Sequence, residues 1–275
     1  MQTSDLGSVQ KTLLLPLWGR AVETRKPNPI LVDEAAARIL RDTGYDFSTI
    51  AARMSFVSQL AWVVRCAHMD RTLRAFLARR PDATVVNLGC GLDTTFERVD
   101  NGRVQWIDLD MPDAIALRRE FIKESERRRF FATSMLDTGW LECVDRNRPV
   151  FFMAMGLFYY IPELNLKTFL KTIAEKVPAG EMLFDACSEF GRKTANKRVI
   201  RDGGMSEDAC LVWALENPRE VATWDPRIEV MESYPLFRGM KRGRSLKEKW
   251  GMFLSDKLRA MSMVHLRIGT GGDVR

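Results

Sequence analysis

One short segment constrains the fold more than any other part of the sequence. The apolar run 84–88 leads directly into Gly89-Cys90-Gly91, and a helical pattern follows. Glycine is required in such a turn because the chain bends sharply and a ligand must approach the backbone closely. A glycine pair is informative when it lies between a strand and a helix, as it does here. The segment therefore predicts a ligand site at the end of a buried strand.

Short apolar runs alternate with helical periods in the middle of the chain. The predicted strands are 84–88, 104–107, 130–133, 150–154 and 181–186, with helices at 111–124 and 164–177. This alternation is typical of a parallel sheet with helices on both faces. Two later runs, 228–234 and 261–268, flank a basic helical segment at 245–259. We expect them to complete the sheet, one of them antiparallel.

Composition excludes several classes of protein. The chain has 275 residues, 46% of them hydrophobic, and a formal net charge of +6, which excludes disordered, collagen-like and coiled-coil chains. No stretch approaches the ~20 apolar residues of a membrane helix, so no membrane partner is expected. The five cysteines form no CxxC pair, which indicates neither a disulfide framework nor a metal site. Reduced thiols in a cytoplasm are the simplest interpretation.

Basic residues cluster in two places, at 192–201 and at 238–249. The simplest interpretation is a solvated surface. The alternative is a basic rim that attracts an acidic partner. Because few aromatic side chains interleave with these charges, nucleic acid is the weaker version of that alternative.

An acidic residue follows the glycine turn at an informative distance. Asp110 lies 21 positions after Gly89, just past the second predicted strand, with Asp108 close by. A carboxylate there accepts hydrogen bonds from the ribose hydroxyls of an adenosine ligand. The third glycine of a dinucleotide fingerprint is replaced by Thr94, so the residues favour a nucleoside without phosphates over NAD. A glycine turn without any ligand is the alternative.

Two motifs in the chain resemble a known family. Residues 86–95 (VNLGCGLDTT) and 107–112 (IDLDMP) together resemble the leucine carboxyl methyltransferase family. Residues 12–23 and 261–265 are similar to its bacterial branch, which includes carboxyl O-methyltransferases of polyketide biosynthesis. The resemblance implies an α/β, class I S-adenosylmethionine (SAM) methyltransferase fold. That fold is a Rossmann-like, seven-stranded sheet with an antiparallel last strand, and SAM is the implied cofactor.

A single methyltransferase domain over residues 1–275 is expected from this resemblance. Its expected parts are a helical N-terminal cap (1–82), a cofactor-binding core (83–190), a lid insertion after strand five (191–226) and the final strands (227–275). In the cap, Asp33 is a candidate N-cap of a helix that ends near Gly44. The apolar stripe of 56–79 predicts a second helix.

The resemblance also implies cofactor-binding residues. Gly89 and Gly91 line the cofactor, Asp110 matches the ribose-binding acid, and Asp108 occupies a neighbouring position. Arg65 lies 24 residues before Gly89, close to where the family places an arginine for the cofactor carboxylate. Arginine suits this role because its planar fork grips a carboxylate with two hydrogen bonds.

Three further positions depart from the family pattern. Ser134 replaces the acid that the family often places near the adenine amino group, unless Asp137 supplies it. Met135, the next residue, is expected to pack against adenine. Met155 replaces an acid after the fourth strand, and its thioether is a polarizable, uncharged neighbour for a sulfonium.

Neither histidine lies in a recognised active-site motif, so His68 and His265 are interpreted as structural. A carboxylate acceptor, with a pKa of about 4, is ionised at neutral pH and needs no general base. The lack of an evident base therefore fits a carboxylate, although a hydroxyl acceptor stays open. Tyr160 and Arg20 are candidates for positioning the acceptor. Further candidates are Arg192 and Lys193 for its charge, and Trp18, Trp213 and Trp224 for an apolar pocket.

The sequence thus predicts a SAM-dependent O-methyltransferase that forms a methyl ester on a small-molecule or peptide carboxylate. One alternative is a SAM-binding regulatory or scaffold subunit without turnover. Another is a tRNA-modifying carboxyl methyltransferase, which ranks last because no appended RNA-binding domain is evident. The oligomeric state is left open.

Overall fold

The computed structural model describes residues 8–48, 52, 54–201 and 209–269. Within these ranges, seven strands form one sheet in the order β3-β2-β1-β4-β5-β7-β6. Their bounds are β1 Thr84–Leu88, β2 Gln105–Asp110, β3 Arg128–Ala132, β4 Val150–Ala154, β5 Gly180–Cys187, β6 Ile228–Pro235 and β7 Met261–Ile268.

Strand direction brings the ends of the central strands together. β1 pairs in parallel with both β2 and β4, and β5 pairs in parallel with β4. β7 runs antiparallel to β5 and to β6. The strand order reverses at β1, and in open α/β sheets ligands bind at such a switch point, beyond the carboxyl ends of the strands. The predicted fold class, including the antiparallel last strand, is confirmed.

Eight α-helices lie in the described ranges and surround the sheet. Their bounds are α1 Ser8–Thr24, α2 Glu34–Asp42, α3 Phe56–Arg79, α4 Thr95–Val99, α5 Pro112–Phe121, α6 Glu163–Lys176, α7 Glu189–Ala195 and α8 Leu246–Lys257. The predicted cap helices match α2, which Asp33 caps through the Ala36 N–H, and α3. None of these helices combines the length and the apolar composition that crossing a membrane requires.

The two faces of the sheet carry separate cores. β1 and β4 are buried along their whole length, as expected for strands covered on both sides. Val86 and Phe152 pack on the face covered by α6, whereas Val85 and Phe151 pack on the face covered by α3. The alternation of neighbouring residues between faces is the two-residue period of a strand.

Strand ends differ slightly from the sequence prediction. β2 continues to Asp110, so both acids of the 107–112 motif lie inside the strand rather than after it. The division into cap, core, lid and final strands stays a prediction. Of the predicted lid, residues 202–208 lie outside the described residues, as do 1–7 of the cap and 270–275 at the end.

His68 is a fully buried residue of α3. Its Nε2 lies 2.7 Å from the Leu236 carbonyl oxygen, and its Nδ1 lies 2.8 Å from Arg71 Nη2. A neutral ring satisfies both contacts, with Nε2–H donating and Nδ1 accepting. Burial lowers the pKa of His68 to about 4. The ring is therefore a neutral structural residue, in line with the sequence-based interpretation.

This burial predicts a loss of stability on acidification. The unfolded chain protonates His68 near pH ~6.5, and the folded chain does so only near pH 4. The unfolded state therefore binds more protons between these values, and stability that is complete above pH ~6.5 falls as the pH drops. Urea unfolding measures how far the free energy of unfolding falls between pH 7 and pH 5. We expect this fall to be smaller by about 2 kcal/mol in His68→Gln than in the wild type. An unchanged pH dependence in the variant would contradict this assignment.

Candidate functional site

The glycine turn after β1 is closely covered by two leucines. Gly89 and Gly91 have φ values of 62° and 41°, a region that glycine adopts without steric cost. A Cβ on Gly89 would lie 2.7 Å from Leu157 Cδ1, and one on Gly91 would lie 2.9 Å from Leu13 Cδ2. Both positions therefore need glycine for conformation and for space.

A fully buried ion pair supports this turn. Arg118, from α5, donates through Nη1 to the carbonyl oxygens of Gly91 (2.7 Å) and Asp93 (2.9 Å). Its Nη2 donates to Asp108 Oδ2 at 2.9 Å. Arg128 Nε donates to the same oxygen at 2.7 Å. Asp108 is thus the structural acid of the motif, because its carboxylate is committed to these buried donors.

Asp110 ties the end of β2 to the glycine turn. Its Oδ2 accepts the Gly91 N–H at 2.7 Å, and its Oδ1 accepts the Met111 N–H at 2.8 Å. Burial raises the pKa of Asp110, and these two backbone hydrogen bonds oppose the shift. Each carboxylate oxygen can accept more than one hydrogen bond. The two oxygens of Asp110 could therefore also accept hydrogen bonds from two ribose hydroxyls.

Apolar side chains flank Asp110 at the same edge. Met111 and Leu136, which follow β2 and β3, are both exposed. Met135 is buried and packs in the core near Trp140, so little of it is available to an adenine ring. Ser134 Oγ accepts the Leu136 N–H at 3.2 Å and so shapes the turn. Sequence reasoning assigned the apolar contact to Met135, whereas the structure exposes its neighbour.

Arg65 lies buried behind the loop that follows β4. Its Nη1 donates to Tyr159 Oη at 3.0 Å and lies 3.4 Å from Asp185 Oδ2. Asp185 Oδ1 in turn accepts the Gly156 N–H at 2.6 Å. A Cβ on Gly156 would lie 2.6 Å from Arg65 Nη1, so the guanidinium rests directly on this glycine.

One donor of Arg65 has no partner. Its Nε is buried and makes no hydrogen bond within the described part of the chain. An unsatisfied buried donor costs about 1–3 kcal/mol, and an external acceptor would relieve that cost. Arg118, Arg128 and Arg244 each have a buried donor without a partner among the described residues as well. The case for Arg65 as a carboxylate ligand therefore rests on this donor together with its position behind the loop after β4.

Sequence reasoning missed Asp185, Tyr159 and Gly156 as parts of this cluster. A signal existed for Asp185, which is a lone acid inside the apolar run of β5 and is fully buried. Tyr159 is buried, and this burial raises the pKa of its phenol well above the ordinary value. The partnership of Arg65 with Asp185 spans 120 residues, so no local pattern reveals it.

Arg20 holds the cap to the glycine turn. It is buried, and it donates through Nε to Asp33 Oδ2 and through Nη2 to the Leu92 carbonyl oxygen, both at 2.9 Å. Thr94, which stands where a dinucleotide fingerprint has glycine, donates to the same Asp33 oxygen at 2.6 Å. The acceptor-positioning role of Arg20 stays a prediction, and in this structure two of its donor groups serve the cap.

The other candidates lie apart from the glycine turn or are already paired. Tyr160 is partly exposed beside Tyr159, and burial raises its pKa to about 12. Arg192 and Lys193 both pair with Glu189, at 2.7 and 3.4 Å. Met155 is half-buried and packs on the α3 side of the sheet.

The three tryptophans do not form one pocket. Trp213 is buried in the core on the α6 side, where Trp224 packs against it. Trp18 instead lines an open cavity of 590 Å³ between α1 and α2, beside Tyr45 and Phe47. The expectation that all three shape one acceptor pocket is therefore wrong.

Comparisons with known proteins agree on the kind of enzyme. The family model described as leucine carboxyl methyltransferase matches residues 14–174. The tetracenomycin polyketide synthesis O-methyltransferase TcmP of Streptomyces glaucescens is 34% identical, with 86% of each chain aligned. A SAM-dependent methyltransferase of Gibberella zeae, dpfgK, is 31% identical over 84% of this chain and 85% of its own. A crystal structure described as a methyltransferase, from Thermobifida fusca, shares the fold with a TM-score of 0.59 at 13% identity, covering 93% of this chain and 94% of the other.

The buried ion pair under the glycine turn gives a stability prediction. Arg118→Met removes a positive charge that pairs with the buried Asp108 carboxylate, and it removes the donor to two carbonyl oxygens of the turn. We therefore expect the free energy of unfolding to fall by about 3–5 kcal/mol. Arg119→Met is the matched control, because the neighbouring arginine forms an exposed ion pair with Glu124 at 3.4 Å, which contributes under about 1 kcal/mol. Urea unfolding measures both variants, and equal losses would contradict the supporting role of Arg118.

Proposed function

This chain belongs to the leucine carboxyl methyltransferase family and is a SAM-dependent methyltransferase, and on that premise we propose that it forms a methyl ester on the carboxylate of a small lipophilic molecule or peptide. SAM, when bound, supplies an electrophilic methyl group, and its transfer to an oxygen depends mainly on positioning.

The residues at the glycine turn fit this cofactor. The orphaned Arg65 Nε–H suits its carboxylate, and Asp110 offers accepting oxygens for its ribose. Met111 and Leu136, which follow β2 and β3, are exposed apolar side chains that an adenine ring could cover. The chain therefore offers a cation, an anion and apolar side chains, which are the groups that the carboxylate, the ribose and the adenine of the cofactor require. Asp110 stays the proposed ribose ligand, and Gly89 and Gly91 stay the glycines proposed to line the cofactor.

We favour a carboxylate as the methyl acceptor because neither Tyr160 nor the two histidines can serve as a general base. Tyr160 is an exposed phenol, and even with the ordinary phenol pKa of about 10 it is protonated at neutral pH and does not act as a base. Both histidines of the chain are committed elsewhere, His68 to Leu236 and His265 to Glu181. An acceptor that is already ionised, with a pKa of about 4, needs no proton removal.

Exposed apolar side chains in the chain segment after β5 suggest a lipophilic acceptor. Phe190 and Val212 are exposed large side chains, and the Val212 N–H donates to the Tyr159 carbonyl oxygen at 2.7 Å. Exposed apolar groups beside a polar site are typical of pockets for organic ligands. The polyketide-synthesis role in the name of TcmP agrees with an organic acceptor of this kind.

The assignment of Arg65 predicts a selective loss of affinity. Arg65→Lys keeps the charge opposite Asp185 but removes the Nε–H and the planar fork. Calorimetric titration should show SAM and S-adenosylhomocysteine binding weakened by at least about tenfold, the expected size for a lost charge-assisted hydrogen bond. Methylthioadenosine, which lacks the amino-acid part, should bind the variant and the wild type about equally. Equal weakening of all three ligands would contradict a contact with the carboxylate.

The acceptor class is tested with matched compounds. Purified enzyme and SAM are incubated with an aromatic carboxylic acid, with the corresponding phenol and with the primary amide, and products are detected by mass spectrometry. We expect methylation of the acid alone, as an ester that releases methanol in mild base. Transfer to the phenol but not to the acid would refute the carboxyl assignment. Tight SAM binding without transfer to any acceptor would instead favour the non-catalytic alternative.

A further inference from the structure

The solvent-facing side of α8 is apolar. Leu246, Trp250 and Phe253 are 84%, 67% and 50% exposed, although large apolar side chains at the surface are usually scattered singly. The opposite side of the helix packs through the buried Met252 and through Gly251, which lies against Phe56. The exposed side thus presents bulkier apolar groups than an ordinary surface helix does. We call these three residues the α8 ridge.

The spacing of the α8 ridge fits a second helix. Its members are separated by four and then three positions, which is the heptad spacing that inserts side chains between those of a facing helix. Leu254 and Leu258 are also exposed and widen the ridge along one side. Over its 12 residues, the helix is about 18 Å long, enough for a partner helix of three turns.

Exposed cations surround the ridge, and one of them, Lys247, has its Nζ 5.3 Å from the centroid of the Phe56 ring. Lys247 and Lys249 occupy the two positions that flank it, which are the positions where charges select a partner helix. Three more exposed cations lie around the ends of the helix: Arg242, Lys257 and Arg259. Within the described ranges none of these five forms a salt bridge, whereas the nearby Lys241 pairs with Asp256 at 3.6 Å. The local charge is therefore positive, because Glu248 and Asp256 are the only acids among residues 241–259, which hold seven Lys and Arg.

We infer that the α8 ridge and its flanking lysines dock an acidic amphipathic helix of a partner protein. Apolar side chains of that helix contact Leu246, Trp250 and Phe253, and its carboxylates pair with Lys247 and Lys249. A second copy of this chain fits less well, because a two-fold interface would bring both sets of exposed cations together. A lipid surface would attract the same lysines and accept the same apolar side chains, and the vesicle measurement below separates it from a partner helix.

The experiment uses the full chain and labelled synthetic peptides of three heptads, read by fluorescence anisotropy. The probe peptide has Leu at positions a and d and Glu at e and g. One control peptide has Lys at e and g, and another has Ser at a and d. We expect the probe alone to bind, and its affinity to fall as NaCl is raised from about 50 to about 300 mM.

Matched variants separate the ridge from general charge and hydrophobicity. Trp250→Ser and Lys249→Glu should each weaken probe binding, the first by at least about tenfold, as for a central aromatic anchor. Leu164→Ser removes an equally exposed side chain from α6, and Lys123→Glu makes the same charge change on another exposed lysine. Both should bind the probe like wild type. SAM binding should be the same in all four variants, which shows that the fold is retained.

Three outcomes would overturn the inference. One is that the probe peptide does not bind, or that Leu164→Ser and Lys123→Glu weaken its binding as much as Trp250→Ser and Lys249→Glu do. Another is sedimentation as a dimer that Trp250→Ser abolishes, because the ridge would then serve self-association. The last is Trp250-dependent binding to phosphatidylglycerol vesicles with no binding to the peptide.

Discussion

The buried pair of Asp108 and Arg118 is the interaction on which the rest of the site depends. It joins three elements: β2 supplies the carboxylate, α5 supplies the guanidinium, and the glycine turn supplies the carbonyl oxygens that Arg118 also binds. Burying two charges costs several kcal/mol per ion unless the remaining donors and acceptors are satisfied. Here Asp108 also accepts from Asn87 Nδ2 and Trp106 Nε1, at 2.9 and 3.0 Å. The glycine turn is therefore held from below by a polar cluster in which Asp108 accepts four hydrogen bonds, whereas Arg118 Nε and Arg128 Nη2 have no partner within the described residues.

The cap is held to the same turn by a second polar cluster. Asp33 accepts from Arg20, Thr94 and Arg98, the last at 2.6 Å, and Arg98 Nε donates to Asp70 Oδ2 at 2.8 Å. These residues come from α1, α3, α4 and the segments that precede α2 and α4. These contacts tie α1 to the carboxyl edge of the sheet, where Leu13 of α1 lies against Gly91.

Sequence analysis predicted what depends on local patterns. The bounds of β1, β4 and β7 follow directly from short apolar runs. The position of Asp110 beside the glycine turn follows from its fixed distance from Gly89 along the chain, and its role as a ribose ligand stays a prediction. Roles that depend on distant partners were not predicted in this way. Nothing near Arg20 in sequence shows that Leu92 consumes one of its donors. The inward packing of Met135 is set by Trp140 and the core behind it, whereas the sequence shows only a residue after a strand.

The contact between Arg65 and Gly156 has a consequence for how this protein can vary. The guanidinium occupies the space that any side chain at position 156 would need, and the backbone there has a φ of 72°. A substitution at 156 therefore displaces Arg65 from Asp185 and Tyr159, and so affects a site to which residue 156 contributes no side chain. Positions 65 and 156 are therefore coupled: whether a substitution at one of them is tolerated depends on the residue at the other.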